Sequence, residues 1–136
     1  MVRRNKYLNN RRQREEGEFG SDKEYLRFLT LKEMEEKGEI TDLQRQVKFE
    51  LIPQQREPDT VGPKGGIHKG KVIEQSIDYI ADFVYKQNGE LVVEDVKPTF
   101  RSKAAERIYK NSGAYARFAM KRKLMLWVHG IRVREI

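Results

Sequence analysis

Four polar residues lie at spacings that could do chemistry: Glu24, Asp82, Asp95 and Lys97. Asp82 falls within the apolar run IDYIADFVYKQ, where an unpaired carboxylate would be costly to desolvate. Asp95 and Lys97 flank Val96 in LVVEDVKP, and alternation along a strand puts Leu91, Val93, Asp95 and Lys97 on one face, with Val92, Glu94 and Val96 on the other. An acid and an amine therefore point the same way. Two aspartates and a glutamate form an all-oxygen set suited to a hard divalent cation such as Mg2+, with Mn2+ able to substitute. With a lysine beside them, such a set matches the needs of phosphodiester hydrolysis: neutralising the attacked phosphate, activating a water and stabilising developing charge. Asp95 and Lys97 could equally form an ordinary strand pair, and Asp82 could be an edge-strand acid.

The elements that must position these residues are readable from turn and cap signals. Asn88-Gly89 separates the two apolar runs as a tight hairpin turn. Ser21 and Glu24 have capping-box spacing and Gly38 supplies a stop, which predicts a helix carrying Glu24 at the margin of its apolar side. Glu24 could cap its own helix or face the acids. Residues 44–52 alternate as a half-buried strand, and Pro53 to Gly70, PQQREPDTVGPKGGIHKG, reads as a long surface loop. A short helix is predicted around Ala104 to Tyr109, a longer one over Ala114 to Val128 with Trp127 in the core, and a last strand over Ile131 to Ile136. The fold class is α/β, a mixed sheet flanked by helices. Glu94 and Asp78 are expected to support the site residues or the fold, and Glu74 and Glu106 to be solvated.

The chain has 136 residues, no cysteine and a formal charge of +7, with 28 basic against 21 acidic residues. That length suits one domain over residues 21–136, preceded by a basic arm over 1–20. Disulfides and thiolate metal sites are excluded, and His68 lacks a partner at ligand spacing. No secretory or membrane-spanning stretch is evident, so the expected location is intracellular, the cytoplasm. The excess of positive charge favours a polyanionic partner. Arg3, Arg4, Arg11 and Arg12 of the arm, Lys64 and Lys69 of the loop, and Lys121 and Lys123 of the last helix are the candidate nucleic-acid contacts.

The order of a helix with Glu24, a strand with Asp82, Asp95-Val96-Lys97 on the next strand, then a basic helix and a final strand resembles the PD-(D/E)XK nuclease superfamily. The stretches KYLNN, SDKEYLRFLTLKEMEEKGEI, VKFELIP, YIADFVY, VVEDVKP and KRKLM together resemble a small, mostly phage-associated family similar to resolvase-type endonucleases. The resemblance covers almost the whole chain. It implies a restriction-endonuclease-like αβββαβ core, with Asp82, Asp95, Glu24 and the Val96 carbonyl as metal ligands and Lys97 as the catalytic cation. Ala81 stands where the motif's proline would be, and Lys121 and Lys123 occupy the place of a glutamine–tyrosine signature. The implied activity is Mg2+-dependent endonucleolytic cleavage of double-stranded or branched, Holliday-junction-like DNA, by a homodimer where two strands are cut symmetrically. If phage-encoded, the protein would act in the host cytoplasm. The alternative is a non-catalytic basic nucleic-acid-binding or scaffold protein that keeps the nuclease fold.

Overall fold

The computed structural model describes residues 12–14 and 17–136. They form a mixed α/β fold with three helices and a four-stranded sheet. In chain order the elements are β1 (Arg12–Arg14), β2 (Gly17–Phe19), α1 (Asp22–Glu36), β3 (Thr41–Ile52), β4 (Gln55–Arg56), β5 (Thr60–Val61), β6 (Ile67–His68), β7 (Val72–Glu74), β8 (Ile77–Gln87), β9 (Glu90–Asp95), α2 (Lys103–Lys110), α3 (Gly113–His129) and β10 (Arg134–Glu135). The sheet order is β10-β9-β8-β3. Strands β8 and β9 are antiparallel and β9 and β10 parallel, which makes the sheet mixed. No helix among the described residues is long and apolar enough to cross a membrane.

The chain divides into two compact units. One comprises the described residues up to 46, with 82–99 and 134–136. Its helix α1 starts as its sequence dictates: the Ser21 hydroxyl accepts from the Glu24 N–H at 3.1 Å. At the other end the Glu39 N–H bonds back to the Met34 carbonyl at 2.9 Å, closing the helix around Gly38. Phe28 and Leu31 of α1 pack with Phe19, Ile40, Phe83, Tyr85 and Val92 into one core. Asn88 and Gly89, with φ of 52° and 78°, make the two-residue turn between the paired residues Gln87 and Glu90, the positive φ values that a primed hairpin turn requires.

Hairpin and helix are joined by a buried charge. Glu94 has no exposed surface, although it is a carboxylate on a strand. Arg27 of α1 grips it with both arms, Nε donating to Oε2 at 3.0 Å and Nη2 to Oε1, while the Tyr85 hydroxyl donates to Oε1 at 2.7 Å. Burial and the bond to Glu94 push the Tyr85 phenol up to about 12, and the Glu94 carboxylate holds the Arg27 guanidinium above its ordinary value.

The other unit comprises residues 47–81 and 100–133. Ser102 and Ser112 cap α2 and α3, each hydroxyl accepting from the N–H three residues on. An aromatic series runs Phe100–Tyr109–Tyr115–Phe118–Tyr79, with successive ring centroids 5.1, 5.5, 5.8 and 6.3 Å apart. Its other feature is a pair of short ladders, β4 with β7 and β5 with β6. Gly70 marks a close approach between two backbones: a Cβ there would lie 1.7 Å from the Glu57 carbonyl oxygen.

Three expectations from the sequence are corrected. The region 53–70 is not a plain loop, since β4, β5 and β6 fall within it. Part of the 1–20 arm is built into the fold, because β1 pairs with β2 and Phe19, 1 % exposed, sits in the core edge-to-face with Tyr25 at 5.1 Å. Trp127 is on the surface, 87 % exposed, because α3 turns Met125 inward instead.

Replacing Glu94 with alanine leaves Arg27 and Tyr85 without their acceptor, and is expected to cost about 3 kcal/mol or more in urea unfolding. Tyr85→Phe removes one hydrogen bond and is expected to cost about 1 kcal/mol. Equal, near-zero losses would show that this network contributes no stability.

Candidate functional site

The ladder between β8 and β9 ends at the rung pairing Phe83 with Glu94. One position beyond it, Asp82 and Asp95 stand together at the open end of the hairpin, on the face opposite Phe83 and Glu94 because of the pleat. Asp82 does not continue the backbone ladder through its side chain; its Oδ2 instead accepts from the Val96 N–H at 2.7 Å, which fixes the aspartate against the strand carrying Asp95. Its Oδ1 accepts from Gln46 Nε2 at 3.2 Å, and the same nitrogen donates to Glu24 Oε1 at 3.0 Å. Glu24, 6 % exposed, is therefore tied to Asp82 through one amide. Its second oxygen, Oε2, accepts from the Gly20 N–H at 3.2 Å. One Glu24 oxygen thus closes the start of its own helix, and the other meets the Gln46 amide that also holds Asp82.

Lys97 lies beside Asp95, with Nζ 2.8 Å from Oδ1 and both side chains largely buried. The backbone around this pair is held by β10. The Ile136 N–H donates to the Asp95 carbonyl and the Lys97 N–H to the Ile136 carbonyl, each at 2.9 Å. Lys23 of α1 then donates from Nζ to the Lys97 and Ile136 carbonyls at 2.7 and 2.9 Å. A lysine thus clamps the end of β9 to its parallel neighbour.

Burial and the neighbouring acids act together on Asp82. The Asp82 carboxyl is pushed up to about 6 from an ordinary 3.8, chiefly by burial and further by the charges of Asp95 and Glu24, against the Val96 N–H and the Gln46 amide, which favour its charged form. The four predicted catalytic residues and Val96 thus belong to one unit and one neighbourhood.

The donor set fits a hard cation: every acidic side chain offers oxygen, and the charges of Asp95 and Glu24, which add to the effect of burial on Asp82, are charges a cation would neutralise. It is not a finished shell, since among the described residues no three His, Cys, Asp or Glu side chains are grouped as a metal site. The reason is visible in the contacts: the Gln46 amide stands between Glu24 and Asp82, and the Lys97 ammonium holds Asp95.

The candidate nucleic-acid contacts divide differently. Lys64, Lys69, Lys121 and Lys123 all belong to the second unit. Lys64, Lys69 and Lys123 are exposed, while Lys121 lines an open groove of about 520 Å³ with Lys48, Asp78, Tyr79, Arg117 and Phe118. Asp78, expected to be structural, pairs there with Lys48 at 3.4 Å and accepts from the Ser76 hydroxyl at 3.1 Å. Arg3, Arg4 and Arg11, and the side chain of Arg12, lie outside the described residues. Sequence reading missed Gln46, Lys23 and Arg27. Only Arg27 left a signal, one helical turn from Lys23 and on a helix whose neighbouring strand carries an acid with no evident partner.

A family model described as "Protein of unknown function (DUF1064)" matches residues 4–126, and the chain belongs to that family. No curated protein and no solved structure matches it significantly.

The raised carboxyl of Asp82 gives a signed pH dependence. Between about pH 4 and 6 the folded protein holds a proton that the unfolded chain has released, so this group's contribution to stability falls as pH rises through that window. In EDTA, the wild-type Tm is therefore expected to drop more steeply from about pH 4 to about pH 6 than that of Asp82→Asn, whose amide oxygen can still accept from the Val96 N–H. A side-chain carboxyl resonance of Asp82 titrating near the ordinary aspartate value would contradict this.

Proposed function

We propose that this member of the DUF1064 family is a divalent-cation-dependent endodeoxyribonuclease with a restriction-endonuclease-like core of the PD-(D/E)XK kind. The observation that carries the proposal is the convergence of Glu24, Asp82, Asp95 and Lys97, distant in the chain, on one end of the β8–β9 hairpin, linked by Gln46, the Val96 N–H and the Asp95–Lys97 pair. The mixed four-stranded sheet, with α1 packed on β8 and β9 in one core, supports it.

Glu24, Asp82 and Asp95 would hold Mg2+, or Mn2+ in its place. When bound, the ion supplies neutralisation of the attacked phosphate and a water of lowered pKa. Lys97 contributes a fixed cation beside Asp95, positioned to hydrogen-bond the attacking water or a phosphate oxygen as charge develops there. Lys23 and β10 keep the Asp95-Val96-Lys97 backbone in place, so the acid and the amine keep their separation during turnover. Scission would leave a 5′-phosphate and a 3′-hydroxyl. The net charge of +7 and the exposed lysines suit a DNA partner bound largely through phosphates, and resemblance to resolvase-type enzymes favours branched DNA, cut by a homodimer.

A second reading, a basic nucleic-acid-binding protein without turnover, is favoured by one observation: the acids are not grouped as a ready metal site among the described residues. Incubation of supercoiled plasmid, linear duplex and a four-way junction with MgCl2 separates the two. Wild type is expected to cleave at least one substrate, and Lys97→Ala to be slower by about 10²- to 10³-fold with DNA binding retained. Asp95→Ala is expected to be inactive. Undiminished binding with no cleavage of DNA or RNA by the wild type, in Mg2+ or Mn2+, would leave the binding-protein reading standing.

A further inference from the structure

The geometry points to Gln46 as a residue that exchanges with the cation: its amide hydrogens take the cation's place between Glu24 and Asp82 in the ion-free protein, and its carbonyl oxygen becomes a ligand when a hard divalent cation enters. This rests on the metal-site reading above.

Carboxylates only accept hydrogen bonds, so the atom that meets both Glu24 Oε1 at 3.0 Å and Asp82 Oδ1 at 3.2 Å must be the NH2 of the amide. Two partly positive hydrogens thus stand between two negative oxygens. The other oxygen of each acid is already engaged by a backbone donor, Glu24 Oε2 by Gly20 and Asp82 Oδ2 by Val96, so the two oxygens facing Gln46 are those left to meet an ion. Nε2 and Oε1 share one carbon, and the torsion that swaps them has broad, shallow minima. A half-turn replaces a donor suited to carboxylates with a carbonyl oxygen suited to a hard cation.

The backbone bears this out independently. Gln46 has φ of 51° in the middle of β3, a left-handed conformation uncommon for a residue with a side chain. Such residues persist where the surroundings impose them, and they cluster at ligand sites. Here the left-handed backbone lies at the one residue of β3 whose side chain meets both acids, while exposure alternates along the strand on either side of it. Gln46 is also exposed, so the seat it occupies opens to solvent and to an arriving ion, whereas Glu24 beneath it is buried.

Calorimetric titration of the full chain with MgCl2 tests this, with melting of each ion-free variant as a check on folding. Gln46→Met, similar in length but with no oxygen, is expected to bind Mg2+ at least about tenfold more weakly. Gln46→Glu is expected to bind at least as tightly as wild type, while its ion-free form melts lower because a third carboxylate replaces the amide. The side-chain NH2 resonances of Gln46, identified by their loss in Gln46→Met, are expected to shift along the calorimetric isotherm. If wild type binds Mg2+, yet Gln46→Met binds it equally well and the amide resonances stay fixed at saturation, Gln46 is a tether only and the metal site survives without it. If wild type binds neither Mg2+ nor Mn2+, the metal-site reading itself fails. Should Gln46→Met not fold, the Gln46→Glu titration and the amide shift decide by the same criteria.

Discussion

A carboxylate withdrawn from water holds this protein's first unit together. Glu94 can be buried without exposure only because Arg27 neutralises it in a two-point grip and Tyr85 adds a third donor. The three groups come from α1, β8 and β9, so satisfying one charge fixes a helix against a hairpin. Removing one partner exposes the others to the full desolvation cost, which is why such an arrangement specifies geometry more than it adds net stability.

That geometry reaches the candidate site through the chain itself. Asp95 follows Glu94, and the pleat sends its side chain to the other face of the sheet. With Glu94 anchored to α1, the register of Asp95 and Lys97 is set, and β10 with Lys23 prevents the strand end from fraying. Asp82 is positioned from the opposite strand by the Val96 N–H. One face of β9 therefore secures the fold through Glu94, while Asp95 on the other stands with Asp82 and pairs with Lys97.

Much of this could be read from residue types. The Ser21 cap, the Asn88-Gly89 turn and the alternation from Leu91 onward are local signals with local causes; the cap and turn correspond to the elements observed, and the strand read through Lys97 ends at Asp95. The proximity of Asp82 to Asp95 followed from those signals once a hairpin was assumed. What escaped reading depends on distant partners or on backbone angles that composition does not encode. Glu94 looked like one more polar residue on a strand, because its burial is licensed by Arg27, far away in the chain. Gln46 gave no sign of its left-handed backbone. Trp127 was assigned to the core on hydrophobicity alone, but the side of α3 that is buried is set by packing around Met125. The ladders within residues 55–74 are two or three residues long, too short for periodicity to register.

Gly70 carries a constraint of a different kind. Because even a methyl group there would overlap the Glu57 carbonyl, the position is closed to the other nineteen amino acids as long as the two backbones cross at this distance. A descendant chain that carried alanine at this place would have had to reroute the segment between β4 and β7, so this single hydrogen atom records whether the crossing has been inherited.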